Sequence, residues 1–222
     1  VSTTAGPRPQ GRHAGLDAAT IIEEAIRLAD LDGLGALSMR RLGASLGVEA
    51  MALYHYFPSK AALLDAVVEH LASSAPLQDV GGPDWRSGLR SYAVAQLAAL
   101  GEHPHLLELV RTRPAITPGN LEMLETLVAH LHRAGFSPAT ALDMVYVINE
   151  LVLSHATPGA ADPAQGASTR EESQRRRLAD AVTGEHPRLA EAVQEARDGA
   201  GTRRFEFALD ALLAGFAAMQ ER

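Results

Sequence analysis

Residues 38–67 read "SMRRLGASLGVEAMALYHYFPSKAALLDAV", and this run holds two Tyr, a His and the only Lys of the chain. Ser38 is placed to cap a short helix carrying Met39, Leu42 and Leu46 on one face. Gly47 interrupts it, a brief helix follows near Glu49–Tyr56, and Phe57-Pro58 ends that one before Ser59 caps a longer helix from Lys60 to about Ala72. A short helix, a Gly-containing turn and a second short helix are the outline of a helix–turn–helix. Ala44, Gly47 and Val48 are small enough to suit a tight crossing, and Leu42, Leu46, Val48, Leu53 and Phe57 supply an apolar seam. Positions 50, 51, 52, 54, 55 and 56 are then left facing outward, an aromatic surface with little purpose unless something binds it.

Lys60 sharpens this reading. It falls in the first turn of its helix, where the macrodipole disfavours a cation. A Lys beside exposed backbone N–H groups suits an arriving anion, and a DNA phosphate is one. A solvated surface Lys is the bland alternative.

Outward from this run, Asp17 caps a first helix whose Ile21, Ile22, Ala25, Leu28 and Ala29 keep one face apolar, and Gly33 and Gly35 break it. Residues 1–15 read as a disordered tail, residues 16–75 as the helix–turn–helix domain, and residues 76–222 as a second domain after the Pro- and Gly-bearing "SSAPLQDVGGPD". Helices are expected over Pro83–Leu100, His103–Arg111, Pro118–Ala134, Pro138–His155, Arg170–Val182, Pro187–Ala196 and Thr202–Gln220. The stretch "TPGAADPAQGAST" is low-complexity and expected to be disordered. Nothing shows the alternation of a strand, so the fold class is all-α. "VYVINELVL" and "FALDALLAGFAAM" are apolar on more than one stripe, which calls for burial against both the chain's own core and a partner, hence a dimer.

Composition narrows the classes. There is no Cys among the 222 residues, so disulfides, thiolate catalysis and Cys-based zinc sites are excluded. No apolar run is long enough for a membrane span and the N-terminal residues lack the apolar region of a signal peptide, so a cytoplasmic protein is expected. The net charge is −7, and residues 1–75 carry six Arg or Lys against eight Asp or Glu. Any nucleic-acid footprint must therefore be small and focused. HExxH, a phosphate loop and the two paired Glu-x-x-His motifs of a di-iron site are missing, which argues against an enzyme in a helical bundle. His103-Pro104-His105 lacks a third partner and a workable spacing for a metal, so no metal site or cofactor is expected.

"LGVEAMALYHYFPSKAALLDAV" resembles the DNA-binding domain of the TetR family of bacterial repressors, in Gly47-Val48, then Leu53-Tyr54-His55-Tyr56-Phe57, then Ser59-Lys60 and Leu63-Leu64. Glu49 departs from the Ser or Thr cap of many members, although its carboxylate can accept from backbone N–H groups. The resemblance implies base contacts from Arg40, Ala50, Met51, Ala52, Tyr54 and His55, and phosphate contacts from Tyr54, Tyr56 and Lys60. Arg40 alone of the first set can grip a guanine edge bidentately, for roughly 1–3 kcal/mol of discrimination. Arg41 reads equally as a further contact or as a solvated neighbour; Arg8, Arg12 and His13 are candidates for a minor groove or simply part of the tail.

The later helices are similar, more loosely, to the tetracycline-repressor subgroup. That implies a helical ligand-binding and dimerisation domain, with Pro138–His155 and Thr202–Gln220 forming a four-helix bundle between subunits. It implies a ligand-responsive regulator: a homodimeric repressor released from a palindromic double-stranded DNA operator by a small-molecule inducer, with the helix from Ser59 as the lever. An activator reads equally well from the helix–turn–helix. The subgroup's magnesium-binding His has Leu109 in its place, and Tyr92 and Gln96 stand at other drug-contacting positions, so Mg–tetracycline is not the expected ligand. Tyr92, Gln96, Thr112, Tyr146, Asn149, Glu150 and His155, with Leu109, are the ligand-binding candidates. Each polar one among them reads equally as a core hydrogen-bonder or a dimer-interface group.

Overall fold

The computed structural model describes residues 16–73, 84–113, 116–156, 176–182, 185–196 and 202–220. The expected tail, its Arg8, Arg12 and His13, the 74–83 boundary segment and the low-complexity residues 157–169 lie outside that set. Every regular element among the described residues is a helix.

Four helices come first: α1 (Ala18–Asp32), α2 (Met39–Ser45), α3 (Ala50–Leu53) and α4 (Lys60–Ser73). Then follow α5 (Trp85–Glu102), α6 (Leu107–Thr112), α7 (Pro118–Arg133) and α8 (Pro138–His155). The last three are α9 (residues 176–181), α10 (Pro187–Ala196) and α11 (Thr202–Gln220). Packing divides the chain into two units, residues 1–63 and 64–222, so α4 begins in the first and ends in the second.

Side-chain caps start the helices where short polar residues precede apolar periodicity. Asp17 Oδ1 accepts from Thr20 N at 2.8 Å, Ser38 Oγ from Arg41 N at 3.2 Å, Ser59 Oγ from Ala62 N at 3.0 Å and Ser137 Oγ from Thr140 N at 3.1 Å. Gly33 ends α1 at φ 81°, a value few other residues adopt, and donates its N–H to Ala29 O.

In the first unit, Ile21, Ala25, Leu28, Ala29, Leu42, Leu53, Phe57 and Leu63 are buried, while Ile22, Leu46 and Val48 are only half-buried. The second unit is built around α5, α7, α8 and α11. Its core runs from Trp85 and Leu89 through Leu127 and Leu131 to Ile148 and Phe205, and the Trp85 and Phe136 rings meet edge-on at 5.0 Å. Arg90 of α5 pairs with Glu206 and Asp210 of α11 across the edge of this core.

Candidate nucleic-acid interface and ligand cavity

The turn between α2 and α3 is held by backbone. Gly47 adopts φ 69°, and Val48 N donates to Gly43 O at 2.9 Å. The close approach falls at Gly43, one residue before the expected Ala44, which is exposed. A Cβ on Gly43 would lie 2.9 Å from Val48 O and 3.1 Å from Ala50 N. Helix α3 is shorter than the expected Glu49–Tyr56, because Tyr56 N and Phe57 N both turn back onto Leu53 O and close it. Glu49 occupies the N-cap position with no side-chain capping bond, which corrects the expectation of an accepting carboxylate there.

Beyond α3 the chain presents its aromatics to solvent. Met51 is 67% exposed, Tyr54 and Tyr56 42% each, and His55 and Arg40 are exposed as well, while Ala50 and Ala52 are half-buried. The cations around this face differ in how they are committed. Arg41 pairs with Asp32, and Arg27 holds Glu24 at 2.6 Å, keeping that carboxyl below its ordinary range. Arg40 makes no hydrogen bond or ion pair among the described residues. Two side chains expected to point at an external anion are fastened inward. Lys60 Nζ donates to Leu37 O at 2.6 Å, and Tyr56 Oη donates to Leu16 O at 2.7 Å. Leu37 directly precedes the Ser38 cap, so Lys60 braces the entrance to α2; its ammonium has three donors and this bond uses one.

The second unit encloses a cavity of about 450 Å³, within the range of sites for drug-sized molecules. Most of its wall is apolar, with Val68 and Ala72 from α4, Leu100 from α5, and Leu124, Val152 and Leu153 from α7 and α8. Ile116, Leu121 and Tyr146 also border it and are 75%, 53% and 50% exposed, so it opens to solvent on their side.

Four expected residues meet there: Tyr92, Gln96, Tyr146 and Asn149. Tyr92 Oη donates to Asn149 Oδ1 at 2.8 Å, and Gln96 Nε2 donates to Ala72 O at 2.9 Å. Burial pushes the Tyr92 hydroxyl up to about 12, despite the hydrogen bonds that oppose the shift.

The other four do not line the wall. Leu109 is buried elsewhere, and Thr112 is exposed with Oγ1 bonded to Glu108 O at 2.7 Å. Glu150 is exposed, and the His155 ring lies edge-on to Phe205 at 5.7 Å. Helical register explains each displacement. On α6 and just beyond it, Val110 and Arg113 face the cavity, so Leu109 and Thr112, each one residue earlier, turn away. On α8 the wall follows Tyr146, Asn149, Val152 and Leu153, a stripe that leaves Glu150 outside.

Two polar wall residues are not among the expected ones, Arg113 and Asn120. Arg113 pairs with Asp65 of α4 at 2.5 Å. One turn further along α4, Glu69 Oε1 accepts from Gly119 N at 3.1 Å, near the start of α7. Counting in threes from Val110 would have found Arg113. No such local signal marks Asn120.

Residues 76–220 match the family of tetracyclin repressor-like C-terminal domains, and residues 21–67 match the tetR family of bacterial regulatory proteins. The HTH-type transcriptional repressor DrrR1 of Streptomyces coeruleorubidus is 32% identical over 152 residues, 68% of this chain and 54% of that protein. The chain thus spans about half the length of that relative. The tetracycline repressor protein class C of Escherichia coli is 31% identical over 211 residues, 90% of each. Among solved structures, a possible TetR family transcriptional regulator from Streptomyces coelicolor A3(2) is 31% identical with a TM-score of 0.70, over 91% of this chain and 100% of that one. ActR of Streptomyces coelicolor, solved in complex with actinorhodin, has a TM-score of 0.76 over 93% of this chain and 99% of its own. At 21% identity that likeness is one of fold alone. No helix among the described residues is long and apolar enough to cross a membrane.

Proposed function

The chain belongs to the tetR family of bacterial regulatory proteins, and from that premise we propose that it is a homodimeric transcriptional repressor which leaves its operator when a small molecule fills the second unit's cavity. The observation that carries the DNA half is the exposed Met51–Tyr56 surface beside an Arg40 not committed to any described partner. Arg40, Ala50, Met51, Ala52, Tyr54 and His55 meet base edges, Ala50, Met51 and Ala52 through apolar contact such as thymine methyls and Arg40 through a guanine. Tyr54, Tyr56 and Lys60 meet phosphates, Lys60 with the donors its bond to Leu37 does not use and Tyr56 by turning its one O–H away from Leu16 O.

Two copies are needed to read a palindrome whose half-sites lie about 34–36 Å apart or a multiple of it. Exposed Val147 on α8 and exposed Phe207 and Met219 on α11 support those helices as the interface. Tyr92, Gln96, Tyr146 and Asn149 orient the effector. Leu109 in place of a His speaks against Mg–tetracycline. The cavity touches α4 at Val68 and Ala72, and the same helix carries Lys60 in its first turn, so an effector that favours one placement of α4 changes operator affinity by differential binding. The protein acts in the cytoplasm and catalyses no reaction.

A gel shift with DNA from upstream of its own gene tests this reading. Specific binding is expected for the wild type, and Lys60→Ala and Tyr54→Ala each weaken it. Specific binding untouched by both changes overturns the assignment of the reading surface. An operator lying upstream of a promoter it stimulates, rather than across it, would make the protein an activator.

A further inference from the structure

We propose that the cavity's effector is an apolar molecule carrying one acidic oxygen group, and that this group takes Arg113 from Asp65. The inference rests on the reading of the cavity as the effector site and concerns the chemistry of what enters it. Among the described residues of the cavity wall, Arg113 is the one ionisable side chain besides the two tyrosines, with no Asp, Glu, Lys or His among them. A cationic ligand would meet a guanidinium and, among the described wall residues, no carboxylate. A neutral ligand would leave the one charged side chain of the described wall without use.

The polar groups available to a ligand are weighted toward donors. Tyr92 already occupies Asn149 Oδ1, which leaves the Asn149 amide N–H groups, and Arg113 brings a planar fork suited to two oxygens. Gln96 offers the acceptor, since its Nε2 is bound to Ala72 O. The partners of the ion pair are unequally placed: the Asp65 side chain is 54% exposed and that of Arg113 31%. Asp65 therefore recovers its hydration readily when displaced, whereas Arg113 gains from a second anion on its cavity side. The exchange would also undo the attachment of α4 at Asp65, beside the one that Glu69 makes to Gly119. Recognition and the signal to α4 are then the same event.

The test uses the full chain and two fluorescent probes sharing one aromatic body, anilinonaphthalene sulfonate, which bears an anion, and phenylnaphthylamine, which does not. The sulfonate should bind about tenfold more tightly, the scale of one charge-assisted contact. Arg113→Gln should erase that preference. Asp65→Asn, which removes the competitor, should tighten the sulfonate severalfold and leave the neutral probe unchanged. A merely structural ion pair would make Asp65→Asn weaken both. Leu124→Trp, filling the cavity, should abolish binding of both and so locates the site. Equal affinity for the two probes, a preference that survives Arg113→Gln, or weaker sulfonate binding in Asp65→Asn overturns the inference while leaving the effector site standing. Binding of neither probe to the wild type, or binding that survives Leu124→Trp, overturns both readings.

Discussion

The two units carry their candidate chemistry in opposite ways. In the first, the residues that matter lie in one run of about twenty, Arg40 to Lys60, and stand on the surface. In the second, the cavity wall gathers side chains from Val68 to Leu153, drawn from five helices, and none of its meaning is local. A surface that reads DNA can be specified by a turn and two short helices on a small core. A pocket needs the whole packing to be right before any one residue has a role.

The largest effect should come from attacking the two cores separately. Leu53 and Leu209 are both fully buried, one in each unit. Truncating either to Ala should cost about 2–5 kcal/mol through lost burial and the cavity left behind. The only Trp of the chain, Trp85, is buried in the second unit and reports on that unit alone. In urea titrations, Leu209→Ala should shift the Trp85 emission transition to lower denaturant. Leu53→Ala should abolish specific DNA binding and shift the helical circular dichroism of the first unit well ahead of Trp85. Equal displacement of the Trp85 transition by both variants would show that the two units unfold as one, and the contrast between them would lose its energetic basis.

A smaller effect separates the units by pH. Tyr92 is held near 12 by burial, against an ordinary 10, so between those values the folded chain keeps a proton that the unfolded chain has lost. Stability contributed by that proton is complete below pH 10 and disappears as the pH rises through 12, for about 2–3 kcal/mol in all. Tyr92→Phe should flatten this part of the alkaline loss in the Trp85 transition. At neutral pH it should cost about 1–2 kcal/mol, because Asn149 Oδ1 loses its donor. An unchanged alkaline slope in the variant would remove Tyr92 from the explanation and leave the cavity's polar pair without a thermodynamic signature.

How much could be seen in the sequence follows the same divide. Helix starts at Asp17, Ser38 and Ser59 were legible because a cap is a bond over three residues. The helix–turn–helix was legible as a pattern, yet its tightest point was misplaced by one residue. Ala44 and Gly43 are both small, and only the path of the backbone at Val48 and Ala50 decides which must lack a Cβ. The cavity was half legible for the same reason of register. Polarity within an apolar helix picked out Tyr92, Gln96, Tyr146 and Asn149, but also Thr112, Glu150 and His155, since polarity alone does not say which face a neighbour covers. Arg113 passed unnoticed because a charged residue near a helix end is ordinary until its partner is known, and Asp65 lies 48 residues away in sequence.

Lys60 supplies the smallest and most discriminating effect, because sequence and structure assign it different partners. As an anchor on Leu37 O it belongs to the fold; as a cation beside Tyr54 it belongs to the DNA. Lys60→Met keeps the apolar stem and removes the ammonium. Losing the bond to Leu37 alone should cost about 1 kcal/mol at this exposed position and lower operator affinity equally at every salt concentration. Losing a phosphate contact as well should flatten the plot of log affinity against log salt by about 0.9, one counterion's worth. Measured from low to physiological salt, a parallel displacement makes Lys60 a brace for α2, and a change of slope makes it both brace and grip. The second result is expected, since an ammonium bound through a single donor keeps its full charge for whatever anion approaches.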